Sequence, residues 1–117
     1  MTVKLILLKS GEDIIADVTE MVVGEEEERR IVGYFFDKPC IIKLREGEES
    51  PDQKSAYKIS MFPWMPLSAD SNIPVPADWV VTMVEPKEQL RKMYLEDVVG
   101  NGKDSEDSST DNKSDSD

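Results

Sequence analysis

Three features of the sequence predict a mostly β protein. Apolar residues alternate with period two through most of residues 1–84, turn residues punctuate them at short intervals, and no helical pattern is long enough to be a crossover. Five strands in roughly 85 residues, with turns and no crossover helix, point to a strongly bent antiparallel sheet or barrel. A short C-terminal helix and an acidic tail follow it. At 117 residues the chain suffices for one small domain.

The first strand is read at residues 3–8. Val3, Leu5 and Leu7 share one face and Lys4, Ile6 and Leu8 the other, so both faces are partly apolar, as in a central or wrapped strand. Lys9, Ser10, Gly11 and Glu12 form a turn, with Gly11 free to take a positive φ. In the second strand Ile14, Ala16 and Val18 face one way and Ile15, Asp17 and Thr19 the other. It extends towards Val23, where Gly24 and the four adjacent carboxylates of residues 25–28 break it and demand water.

Residues 30–44 make a third, long strand, with Gly33 and Pro39 where it would bend or bulge. Residues 45–55 read as a polar loop. Tyr57, Ile59 and Met61 make a fourth strand, and residues 65–76, with three prolines, read as a loop. Residues 79–84 form the fifth strand. Pro86 suits the first position of a helix over residues 86–99, whose apolar face is Leu90, Met93, Tyr94 and Val98, and Gly100 suits its stop. Residues 101–117 contain no apolar side chain and carry a net charge of -4. They have nothing to bury against the entropy of ordering and are expected to be disordered. The domain is therefore drawn at residues 1–100 and the tail at 101–117. OB, SH3-like and Sm-like barrels all fit this strand count.

Composition removes much of catalytic chemistry. There is no histidine, which excludes imidazole bases, shuttles and ligands. The single cysteine, Cys40, lies in an apolar run and reads as a small buried hydrophobe. Alone it builds neither an internal disulfide nor a multi-thiolate zinc site. The acidic run lacks the alternating spacing of a calcium loop. No catalytic residue, metal or cofactor is expected. The N-terminal apolar run is too short for a signal peptide or a membrane span, so a cytoplasmic location and no membrane partner are expected. The net charge of -11 works against phosphate binding unless the bases are segregated. Arg29 and Arg30 are the only adjacent arginines. Together with the aromatic Trp64 and the amide of Asn72 they are the candidate contacts for nucleic acid.

The stretch from Leu8 to Val18, LKSGEDIIADV, resembles the opening of an Sm or LSm domain. A first strand ends in leucine, a polar residue and a turn with glycine, and an apolar and then a small residue follow in a long bent second strand. Ser10 stands where that family often has Asn, and Ala16 where it usually has Gly. Together with YFFDKPCIIKL and MFPWMPLSAD, the chain resembles the small Sm-like proteins of marine cyanophages and ocean metagenomes over residues 1–98. The resemblance implies a five-stranded Sm-like barrel whose fourth strand pairs with the fifth strand of the next copy. It thus implies a closed homo-oligomeric ring, here a pentamer, joined through Tyr57, Ile59, Met61, Trp79, Val81 and Met83.

It also implies binding of RNA or single-stranded DNA in phage nucleic-acid processing, within the host cytoplasm. Two departures bear on that function. The loop between strands two and three is the acidic run of residues 24–29 in place of the family's Asp-x-x-Met-Asn pattern, and there is no Arg-Gly pair before the fifth strand. Phe36 and Asp37 resemble the family's Phe-Asp without its Asn. The alternative is a structural or interaction ring, in a virion or in host targeting, that binds no nucleic acid.

Overall fold

A computed structural model describes residues 1–46 and 57–100, with the backbone alone for Glu46 and Tyr57. The chain forms two units, Met1–Glu85 and Pro86–Asp117. In the first, the two alternating apolar segments become β1 (Val3–Leu8) and β2 (Asp13–Val23), an antiparallel hairpin with Ile6 opposite Ile14. Its turn is closed by the Leu8 N–H donating to the Glu12 carbonyl at 3.0 Å and the Gly11 N–H to the Leu8 carbonyl at 2.9 Å. Gly11 has φ +88°, the conformation expected of it.

Past Val23 the acidic run folds into a single 3-10 turn, Glu26–Glu28, whose residues are all exposed. Gly24, at φ +90°, makes that turn possible, because a Cβ there would lie 2.5 Å from the Glu28 carbonyl oxygen. β3 (Arg30–Glu46) then returns along β2 for 17 residues. A strand of that length holds a twisted sheet only by bending, and it bends twice. Val22 pairs with Ile31 and Met21 with Gly33, leaving Val32 as an extra residue. Ile15 pairs with Cys40 and Asp17 with Asp37, so Ala16 faces both Lys38 and Pro39. Lys38 adopts φ +49° in this second bulge, and Pro39, which has no N–H to give, sits where the ladder is already interrupted.

The other side of β3 corrects the expectation of five strands and of a loop over residues 65–76. β4 (Tyr57–Pro63) pairs with the second half of β3, and β5 (Asn72–Pro76) pairs with its first half, from Asp37 opposite Asn72 to Gly33 opposite Pro76. The two occupy a single strand position, broken by an excursion over residues 64–71. Both roots of the excursion are held on the β3 bulge: the Trp64 N–H donates to the Pro39 carbonyl at 3.0 Å, and the Lys38 N–H to the Ser71 carbonyl at 2.7 Å. Pro74 and Pro76 are tolerated because, among the described residues, β5 is paired on one side only.

After a 3-10 turn, Ala77–Trp79, β6 (Val80–Val84) pairs with β1. Trp79 therefore precedes the last strand instead of opening it. The sheet order is β4-β3-β2-β1-β6, with β5 also on β3. Ile6, Leu8, Ile14, Ala16, Val18, Phe36 and Val75 form the enclosed core, with Tyr34, Ile41, Trp64, Val80 and Met83 packed around it. By strand alternation Val3, Ile15 and Cys40 belong to the opposite face, and they too are buried. The apolar character of both faces of β1 and β2 is thus used.

Gly33 is where β5 approaches β3 most closely. A Cβ there would lie 2.7 Å from the Val75 carbonyl oxygen, which is backbone and cannot swing aside. Gly33→Ala is expected to lower stability by about 1–3 kcal/mol in urea unfolding, because β5 must shift to admit the methyl group. An unchanged midpoint would mean that β5 is not held at that distance.

In the second unit α1 covers Glu88–Tyr94, with Lys87 at the N-cap position and no side-chain capping bond, and a π-helical turn continues over Leu95–Gly100. Pro86 lies before the cap and not at the first helical position, so the α-helix is shorter than the expected 86–99. Leu90 and Tyr94 are its buried residues, two members of the apolar face read from the spacing. The expected disorder of residues 101–117 concerns positions outside the described residues.

Candidate nucleic-acid interface

The candidate contacts fall at two ends of the sheet. Arg29 closes the acidic 3-10 turn and Arg30 opens β3 opposite Val23; both are exposed. Their guanidinium groups follow three consecutive exposed glutamates, so the cations and the acidic turn share one tip of the β2–β3 arm.

Trp64 is elsewhere. It is half-buried against the core, its ring centroid 6.2 Å from that of Phe36 with the planes tilted by 46°. Its indole N–H donates to Glu12 Oε1 at 3.4 Å, and the Ser10 hydroxyl donates to the same oxygen at 2.8 Å. These contacts tie Trp64 to the β1–β2 turn. Because β2 runs from that turn to Val23, Trp64 and the arginines are separated by about 30 Å measured along the strand. Asn72 is exposed at the start of β5, opposite Asp37 in the ladder, and so lies in a strand instead of a loop. The fold therefore brings Arg29 and Arg30 together and leaves Trp64 and Asn72 apart from them.

Among the expected interface residues, Ile59 and Met61 are half-buried on β4, while Trp79 and Val81 are 41% and 57% exposed. Met83 packs on the core, and the side chain of Tyr57 lies outside the described residues. β4, β5 and β6 are each paired on one side only among the described residues. Large apolar side chains remain open to solvent near those edges: Phe62, Met65, Leu67 and Val84, Leu67 completely so.

Cys40 is buried, its Sγ 3.8 Å from the Lys38 carbonyl oxygen, and burial pushes its thiol above the usual range. At neutral pH it is a neutral thiol and a poor nucleophile. Among the described residues no cluster of three or more aspartate, glutamate or cysteine side chains is placed to hold a metal ion, and no helix is long and apolar enough to cross a membrane.

Among the described residues, depressions lie at the tip and at the base of the β2–β3 arm. One, at its tip, is bordered by Val23, Gly24, Glu28 and Arg30. The other, of about 440 Å³, is bordered by Thr2, Lys4, Val18, Thr19, Glu20, Tyr34 and Met83. Tyr34, which lines the second depression, also packs against the core.

The family model described as the Sm_like domain matches residues 3–95. No curated protein matches the chain.

Proposed function

The chain belongs to the Sm-like domain family, and we propose that it is a ring-forming, non-catalytic module that binds single-stranded nucleic acid, RNA or DNA. The match over nearly the whole described sheet carries this reading, since Sm-like domains are typically binding modules that assemble into rings and bind RNA. The one-sided pairing of β4, β5 and β6 supports assembly. Unpaired N–H and C=O groups on long edges invite another chain, and a head-to-tail contact between unlike edges closes when the rotation per copy divides the circle. We assign the contact to residues 57–62 of one copy and 79–84 of the next, and the ring to five copies. We further propose, on the resemblance of the sequence to marine cyanophage proteins, that it works in phage nucleic-acid processing in the host cytoplasm.

Arg29 and Arg30 are the phosphate contacts in this reading. With so few cations, the salt dependence is shallow, with a log–log slope on the order of -2 to -4. Fluorescence anisotropy of labelled oligonucleotides from about 25 to about 300 mM salt measures it. Arg29→Ala/Arg30→Ala is expected to weaken binding and to flatten the slope by roughly 2. A wild-type protein with no saturable binding at the lowest salt would leave the second reading, a ring that contacts only protein. The net charge of -11 and the acidic turn beside the two arginines favour that alternative.

A further inference from the structure

β1 ends against β2 well before β2 itself ends. The Val18 N–H donates to the Thr2 carbonyl at 2.8 Å, and the Thr2 N–H turns to Asp17 Oδ1 at 2.8 Å. From residue 19 to residue 23, β2 therefore pairs with β3 on one side and, among the described residues, with no strand on the other. We propose that this open edge is a docking site for an extended, basic peptide segment of another protein, which adds to the sheet as a further strand beside β2. The proposal holds for a ring that binds nucleic acid and for one that contacts only protein.

The phase of the backbone selects this edge. Successive residues of a strand direct their N–H and C=O groups to opposite sides, so with Val18 turned towards β1, Glu20 and Val22 point to that same side. Their N–H and C=O groups form the alternating pattern that an incoming strand pairs with. β5 is the contrasting case. The Lys38 N–H bonds the Ser71 carbonyl, so Ile73 and Val75 turn towards β3 while Asn72, Pro74 and Pro76 turn away. Pro74 and Pro76 have no N–H to offer, and that edge is blunted. The edges of β4 and β6 are assigned to the ring contact. The second half of β2 carries no such protection.

Side chains define the occupant. By alternation Lys4, Val18, Glu20 and Tyr34 share the core-facing side of the sheet, and with Met83 they border the depression of about 440 Å³ at the base of the arm. Val18, Tyr34 and Met83 belong to the core or pack on it, so a small apolar side chain of the incoming strand meets a preformed hollow. Two residues on, it meets the exposed carboxylate of Glu20. Residues 18–30 carry five carboxylates and two guanidinium groups, a net charge of -3, and the Lys4 ammonium is engaged by Glu85 at 2.8 Å. The edge therefore attracts a basic segment with an apolar and a cationic residue spaced two apart. The chain's own segments of that character, residues 3–8, 41–45 and 57–61, are already strands of the sheet, and residues 101–117 are acidic. The occupant is thus a segment of another protein.

The test uses the full-length protein and a labelled peptide, Lys-Thr-Val-Thr-Lys-Thr-Lys, in fluorescence anisotropy at low salt with no oligonucleotide present. Saturable binding is expected. N-methylation of the two residues after the valine keeps every side chain and charge and removes one donor on each edge of the extended peptide. It is expected to weaken binding by about three- to tenfold. Val22→Pro removes one outward N–H of β2 without taking a bond from its ladder with β3, and is expected to weaken binding by a similar factor. Glu20→Lys, at an exposed residue, gives a reading that does not depend on how well Val22→Pro folds, with an expected loss of about two- to fivefold. If the methylated peptide binds as tightly as its parent, the attraction is adhesion of a cation to an acidic protein and the docking edge is overturned. Unchanged binding by Glu20→Lys, or no saturable binding of the parent peptide to wild type, overturns it equally.

Discussion

Phe36→Ala is expected to cost about 3–5 kcal/mol, which is a large part of the stability of a domain of this size. Phe36 is completely buried in the middle of β3, opposite Val18 on β2 and opposite Ile73 on β5. Its ring is one of the largest in the core and the surface on which Trp64 rests. Truncation removes the transfer energy of the ring and leaves a cavity between two strands whose backbones are hydrogen-bonded and cannot collapse. Thermal unfolding followed by circular dichroism is expected to show a fall in Tm of more than about 10 °C. Phe36→Leu, which keeps most of the volume, is expected to lose less than half as much. A loss below about 1 kcal/mol for the alanine variant would mean that Phe36 does not sit in the enclosed core.

The second large effect is at Trp64. It is half-buried, so Trp64→Ala is expected to cost about 2–3 kcal/mol, somewhat less than for a fully buried tryptophan. The loss has two sources: contact with the core, and the link from the indole to Glu12 that anchors the first root of the excursion over residues 64–71. Trp64→Phe separates them. It keeps much of the packing, loses the N–H, and is expected to cost about 0.5–1.5 kcal/mol. Below the melting temperature, Trp64→Ala is expected to weaken oligonucleotide binding by about five- to a hundredfold if its ring stacks on a base. Unchanged affinity would mean that its contacts with Phe36 and Glu12 keep Trp64 out of the interface.

These two residues mark how far the sequence is legible. Period-two alternation located β1, β2 and the long β3, and Gly11, Gly24, Gly33 and Pro39 signalled the turns and bends where the chain does turn and bend. The core face of β2 was readable because Ile14, Ala16 and Val18 alternate with polar or differently buried residues. β5 was missed because Pro74 and Pro76 mask it. A proline argues against a strand only where both sides of the backbone must pair, and among the described residues β5 pairs on one. The alternation of Ile73 and Val75 was the surviving signal, with Val75 in the core.

The site was less legible, since residue type says which side chains can stack or bind phosphate and not which of them share a surface. Trp64 and Arg29 looked equivalent as neighbours of loops. The long β2 puts them at opposite ends, and only the ladder register reveals that separation. Helix position suffered a smaller error. Pro86 fits a first helical turn, yet the first turn begins after Lys87, and a proline just before a cap satisfies the same constraint on φ.

The central claim is that this Sm-like chain works as a closed ring, and mass in solution tests it most directly. Size-exclusion chromatography with multi-angle light scattering at micromolar concentration is expected to give one species of about 66 kDa, five copies of a 13.2 kDa chain, with a mass that does not drift across the peak. A uniform 13.2 kDa species over the same concentrations would contradict the ring.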